Sequence, residues 1–260
     1  MNRDQLRQFA VVFTTILTLV MNGLATGLPL NNITTGEISD MWVNYFTPAG
    51  YVFAIWGVIY TGLIAFTIYH SLPSQRENNR LRSLSWLFVV TNLLNSAWIV
   101  AWQYLYVKTS WVIMLVFLAT ILVLYARIGT GIKPTSRKEY WLINVPFSIY
   151  TAWITVATIA NTTVFFQSLG WETTPTTMAP IWSAFVIVVG AVITGYVVYT
   201  RRDVAYAGVV IWAYVGIVVK YTGTTLVVGT AGAMVAVVAV VLIAGLIRTP
   251  PPARLQGSAA

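Results

Sequence analysis

Cysteine is absent from this 260-residue chain, histidine occurs once, and charged residues make up only 8% of it. The first absence rules out disulfides, thiolate metal sites and cysteine nucleophiles. The single histidine, His70, has no Ser-His-Asp set around it, and no paired carboxylates, phosphate loop or metal-ligand cluster can be assembled from the other residues. The chain therefore reads as a non-enzyme with no metal site and no required cofactor. The scarcity of charge carries furthest. A soluble domain is about a quarter charged, so this chain lacks the groups that keep a surface wet. In their place stand 58% hydrophobic residues and a mean hydropathy of +0.76. This is the composition of an all-α integral membrane protein whose first partner is the lipid bilayer.

A spanning helix needs about 20 mostly apolar residues. The stretches that qualify are Phe9–Leu28, Ala49–Leu72, Leu84–Tyr106, Ser110–Ile128, Trp141–Gln167, Ala179–Tyr199, Ala205–Val219 and Thr224–Ile247. The last two lie between Asp203 and Arg248, where the only charge is Lys220. One helix there would run about 66 Å at about 1.5 Å per residue, about twice the hydrocarbon thickness. Two helices turning near Tyr221, Thr222 and Gly223 fit better, giving eight spans.

Drawn this way, Arg3, Arg7, Arg76, Arg80, Arg82, Arg127, Lys133, Arg137, Lys138, Arg201, Arg202, Arg248 and Arg254 share one side. Only Lys108 and Lys220 face the other. The positive-inside rule makes the first side cytoplasmic, with both termini there. Seven spans would put Arg248 and Arg254 outside, against the pattern. Basic loops facing an anionic inner leaflet account for a pI near 9.8. The basic residues are scattered and form no dense run, so no nucleic-acid partner is expected. The first apolar segment lacks a small-x-small cleavage site and reads as a retained helix. The expected location is a bacterial-type inner (cytoplasmic) membrane.

Two connections are long. Residues 29–48 form one, on the outer side, and Gly170–Met178 form the other. The second divides the chain into a five-helix membrane domain (1–169) and a three-helix membrane extension (170–248), followed by a disordered tail (249–260) that holds Pro250, Pro251 and Pro252. The last three helices are poor in tryptophan, with Trp182 and Trp212, and rich in Val, Ala and Gly. Gly208, Gly216, Gly229 and Gly232 let neighbouring backbones approach closely.

Pumps and proton-coupled transporters place ionisable groups inside the bundle. Here the interior polar groups are Asn22, Asn92, Asn95, Asn161 and hydroxyls. His70, at the cytoplasmic end of the second span, reads as an interfacial residue, with axial ligation of a haem the sharper alternative. An aromatic and amide pattern stands out. Phe53, Trp56 and Tyr60 share a face of the second span. Asn92, Asn95, Trp98 and Trp102 form a stripe on the third, and Trp153, Ala157 and Asn161 one on the fifth, with small Ala157 leaving room between two large groups. Indole and phenol rings offer apolar faces and a donor, which suits a flat amphipathic ligand. The same residues also suit interfacial belt and interhelical glue roles, and the pattern alone does not choose.

Three motifs add to it. Thr47–Tyr60 (TPAGYVFAIWGVIY) resembles the signature at the start of the second helix in the TspO/peripheral benzodiazepine receptor family, the tryptophan-rich sensory proteins. Leu94-Asn95-Ser96-Ala97-Trp98 resembles that family's Leu-Asn-x-Ala-Trp, and Trp153-x-x-x-Ala157-Thr158-x-x-Asn161 its fifth-helix motif. The resemblance covers residues 9–168. It implies a five-helix bundle binding tetrapyrroles, and in some members sterols, beneath the loop joining the first two helices. Carried over by motif, Trp56, Asn95, Trp98, Trp153 and Ala157 would line that pocket, with Asn161 near its outer end and Tyr60 on the Trp56 face. The chain departs from the family in its three added helices, in Ile99-Val100 where the family has Pro-Pro, and in the spacing from Pro146 to Trp153.

The resulting expectation is a membrane receptor or carrier for a planar apolar small molecule, a porphyrin or haem among the bound species. An accessory subunit of a larger, pigment-containing membrane complex is the alternative, and an exporter is disfavoured by the lack of coupling charge. Matches to the loose cholesterol pattern at Val123–Arg127 and Val197–Arg201 are unspecific. Gly23-x-x-x-Gly27 fits packing within the monomer better than a homodimer contact.

Overall fold

The computed structural model describes residues 2–28, 30–42, 44–171 and 178–248. Most of the 170–178 connection and the tail 249–260 lie outside the described residues. Helix α1 (Arg3–Gly27) opens on a reciprocal cap: Asn2 Oδ1 accepts from the Gln5 N–H at 2.8 Å, and Gln5 Oε1 from the Asn2 N–H at 2.9 Å. The helix starts ahead of Phe9 because buried Arg7 and Gln8 anchor its first turns. Arg7 Nη2 donates to the Arg76 carbonyl at 2.6 Å and Gln8 Nε2 to that of His70 at 2.9 Å.

A short helix, α2 (Thr35–Asp40), interrupts the following connection, and a 3₁₀ turn (Gly50–Ala54) leads into α3 (Ile55–Ser71). Asn78 caps α4 (Asn79–Gln103). Helix α5 (Val107–Ile128) ends on Gly129, whose φ of 72° supplies the left-handed cap. Then come α6 (Arg137–Glu139), a π turn (Tyr140–Asn144) and α7 (Val145–Ser168). The widened turn sits immediately before Pro146, whose missing N–H would otherwise break the helical ladder. Gly62 of α3 lets that proline approach: a Cβ at Gly62 would stand 2.9 Å from Pro146 Cβ. Helices α8 (Met178–Arg201), α9 (Val204–Lys220) and α10 (Thr225–Arg248) complete the described chain.

Each of the expected apolar segments is helical, and no strand occurs among the described residues. Seven helical stretches are long and apolar enough to cross a membrane, counting Arg137–Ser168 as one. Val204–Lys220, an apolar helix of 17 residues, about 25 Å at about 1.5 Å per residue, is shorter than these seven and is not counted among them.

Helices α1, α4, α5, α7 and α3 close a ring, each packing on the next and α3 returning to α1. Helices α8, α9 and α10 pack on one another and join the ring chiefly through α9 on α7. At the end bearing the N-terminus the ring is plugged by Phe66, Phe88 and Phe147, edge to face at 4.9–5.4 Å. The buried Asp203 carboxylate ties the triplet on there, accepting from the Tyr125 hydroxyl at 2.6 Å and the Tyr206 N–H at 3.0 Å, and from the Ser148 hydroxyl. His70, read from the sequence as an interfacial residue, is fully buried within the protein, with Nε2 2.8 Å from Ser85 Oγ. Helices α1 and α4 cover it: Gln8 binds its carbonyl from one side and Ser85 its ring from the other.

Candidate functional site

Because aromatic rings plug one half of the ring, its open space lies in the other half. A small cavity of about 50 Å³ is walled by Trp56, Trp98, Trp102, Trp153, Ala157 and Asn161, with Thr47 and Pro48 from the connection above. Trp56 meets Trp153 edge to face at 6.1 Å, Phe53 meets Trp153 the same way at 5.9 Å, and Trp98 stacks on Trp102 at 5.9 Å. A second, larger space of about 690 Å³ lies between α1 and α3, lined by Asn22, Gly23, Glu37, Gly57 and Tyr60 among others. Thr35, Phe53 and Trp56 line both. The two spaces are thus neighbours, divided by two aromatic side chains.

The small cavity is unusual in its polar groups. Trp98 is 5% exposed, Trp153 3% and Asn161 3%, yet both indole Nε1 atoms and both amide atoms of Asn161 lack a hydrogen-bond partner among the described residues. Buried donors and acceptors are normally paired, and each orphan costs about 1–3 kcal/mol. Two donors and one donor–acceptor amide therefore gather around one aromatic-walled space with their bonding capacity unused.

Beneath it most of the polar groups are engaged, with Asn92 Oδ1 lacking a partner among the described residues. Asn95 Oδ1 accepts from Asn22 Nδ2 at 2.6 Å, and its Nδ2 donates to the Tyr150 oxygen at 3.0 Å. Asn92 Nδ2 bonds the Thr14 and Thr15 hydroxyls of α1 at 3.3 and 3.2 Å. These amides join α1, α4 and α7.

The roof is the connection between α1 and α3, and it is held from two directions. Gln103 Nε2, at the end of α4, donates to the carbonyls of Ala25, Leu30 and Ile33 at 2.7–3.3 Å, while its Oε1 accepts from Thr35. Trp102 Nε1 adds a bond to the Thr35 carbonyl at 3.3 Å. Hydrogen bonds from the Thr34 N–H and hydroxyl hold the Glu37 carboxyl below its ordinary range. Residues 44–54 are held by the C-terminal triplet. The Ala49 N–H donates to the Gly216 carbonyl at 3.2 Å, Trp212 Nε1 to the Val52 carbonyl at 3.1 Å, and the Tyr221 hydroxyl to those of Asn44 and Thr47 at 2.8 and 3.0 Å. Ser183 accepts from the Tyr45 N–H at 3.1 Å, and Lys220 pairs with Asp40 at 2.5 Å.

Of the residues expected at the site, Trp56, Trp98, Trp153, Ala157 and Asn161 meet around the small cavity. Tyr60 lines the larger one and stacks on Trp56 at 5.5 Å. Asn95 lines neither, because Asn22 and Tyr150 take up its amide. The roof-holding residues Gln103, Trp212, Gly216 and Tyr221 were not expected. An amide at a helix end hints at Gln103, but nothing local in the sequence pairs α9 with a loop so far upstream.

A family model described as TSPO-like protein matches residues 8–245. No curated protein and no solved structure matches. The family match covers most of the chain and runs past the motif-bearing residues 9–168 through nearly all of α10. The chain belongs to the TSPO-like family.

Proposed function

We propose that this TSPO-like membrane protein is a receptor or carrier that binds a planar, mostly apolar ligand of the tetrapyrrole class where its two cavities adjoin. The observation carrying this reading is the set of buried, unpartnered polar atoms on Trp98, Trp153 and Asn161 around an aromatic-walled space. A ligand with an acceptor toward the indoles and a polar group toward Asn161 would recover that lost bonding, while its flat face would lie on the rings. Sites for molecules of that size occupy about 300–1,000 Å³. The small cavity is below this range and the larger one within it. Binding then requires Phe53 or Trp56 to turn aside, so that the ring system fills the α1–α3 space and its polar edge reaches Asn161. Nothing in this scheme asks the chain for catalysis. The charge bias supports cytoplasmic termini in a bacterial-type inner membrane.

The test is titration of the detergent-purified protein with protoporphyrin, followed by tryptophan fluorescence. Saturable quenching near one ligand per chain, weakened about tenfold in Asn161→Leu by loss of a buried hydrogen bond, is the expected result. Absence of saturation would overturn the reading and leave the accessory-subunit role in its place, to be sought by co-purification in mild detergent.

A further inference from the structure

We infer that the C-terminal triplet, through α9 and its C-cap Tyr221, is the positioning element of the ligand cavity: it holds residues 44–54 in place and so sets where Pro48, Phe53 and Trp56 stand. For its ligand-retention half this rests on the binding reading above; its structural half does not.

The contacts are specific and few. Gly216 lies where the roof touches α9. Its carbonyl accepts from the Ala49 N–H, and a Cβ there would run into Val52 Cγ2 and stand 3.1 Å from Pro48 Cβ. Pro48 lines the small cavity. One turn before it, Trp212 bonds the Val52 carbonyl and meets Tyr51 edge to face at 5.1 Å, and at the C-cap beyond it Tyr221 meets Tyr45 at 5.0 Å while bonding two roof carbonyls. Tyr214 meets Phe46 at 6.5 Å between them. Gly216, Trp212 and Tyr221 line neither cavity, so their effect on a ligand passes through the roof. The 3₁₀ turn they hold carries Phe53 and runs straight into Trp56, the two side chains that divide the cavities. A triplet that merely filled lipid space would need none of these bonds.

The experiment compares hydrogen exchange over residues 44–56 in the ligand-free full chain with protoporphyrin dissociation rates. The variants are Tyr221→Phe and Gly216→Ala, with Gly208→Ala as control, since a Cβ at Gly208 meets nothing within 4 Å. Both test variants are expected to speed roof exchange about tenfold, the scale of one or two lost hydrogen bonds. Ligand dissociation should rise by a similar factor, with exchange in α7 and the thermal midpoint little changed. Gly208→Ala should do neither. Adding Val52→Ala to Gly216→Ala removes the colliding methyl and should restore slow exchange. Roof exchange equal to wild type in both Tyr221→Phe and Gly216→Ala would overturn the inference. A loosened roof in a protein that binds no porphyrin would support the positioning role and sink the binding reading alone.

Discussion

The two halves of the cavity roof are held by opposite means. Residues 30–40 hang from the end of α4, chiefly from Gln103, which is fully buried and reaches the Leu30 and Ile33 carbonyls along with that of Ala25, while Trp102 bonds the Thr35 carbonyl. Residues 44–54 are spread along a helix and its cap, with one backbone bond, two side-chain donors and three ring pairs from α9 and Tyr221. A single-point anchor concentrates the penalty of any change in one residue. A distributed one divides it, so each contact can be weakened without loss of the whole. The first arrangement suits a rigid lintel and the second an adjustable edge, and the residues that divide the cavities lie on the second.

The sharpest way to break this comparison is Gln103→Leu. The isostere leaves the Ala25, Leu30 and Ile33 carbonyls without their donor, at about 1–3 kcal/mol for each that stays dry. We expect a loss of about 3 kcal/mol in stability and rapid exchange over residues 30–40, with residues 44–54 less affected. Equal loosening of both halves would show that they form one unit.

Asn161→Leu should act on the space both halves cover, with opposite signs on stability and binding. Removing an amide that has no partner is expected to stabilise the ligand-free protein by about 1–2 kcal/mol, while weakening porphyrin binding. A variant that melts earlier than wild type would mean that Asn161 is already satisfied in the ligand-free protein. Ser183→Ala, which deletes only the Tyr45 contact, should be milder. About 1 kcal/mol is expected, read as faster exchange near Tyr45 and none near Thr35.

Much of this architecture was legible in the sequence, and the boundary of legibility is physical. Apolar run length marks a helix wherever it occurs, so Ala205–Val219 was expected and α9 spans Val204–Lys220. Helical spacing likewise brings Trp153, Ala157 and Asn161 to one face, and the structure puts that face on the cavity. Spacing does not say which asparagine on a stripe finds a partner. Asn95 and Asn161 look alike in sequence, yet Asn22 and Tyr150 engage the first while none of the described residues bonds the second. The grip of α9 on the roof was invisible because it depends on a tertiary contact that no periodicity encodes. His70 shows the same limit: its place near a helix end suggested an interfacial residue, and nothing in the spacing showed that α1 and α4 would cover it.

The smallest expected effect separates the two halves by their charges. Glu37, in the first half, accepts from Thr34 at both its N–H and hydroxyl, and these bonds hold its carboxyl below the usual range. A depressed folded-state pKa means that the contribution is present above the unfolded value, about 4.3, and lost as pH falls through the folded one. Exchange over residues 34–40 should therefore quicken on acidification below about pH 4, and Glu37→Gln should flatten that dependence. Lys220 and Asp40 bridge the two anchors, but the pair is largely solvated, with the Asp40 side chain 58% exposed. Such pairs contribute about 1 kcal/mol or less and weaken with salt. Raising ionic strength at neutral pH should thus leave residues 44–54 held by Gly216, Trp212 and Tyr221, with exchange almost unchanged. A strong salt response there would transfer the grip from α9's backbone and rings to the ion pair, and the contrast between a single anchor and a distributed one would fail.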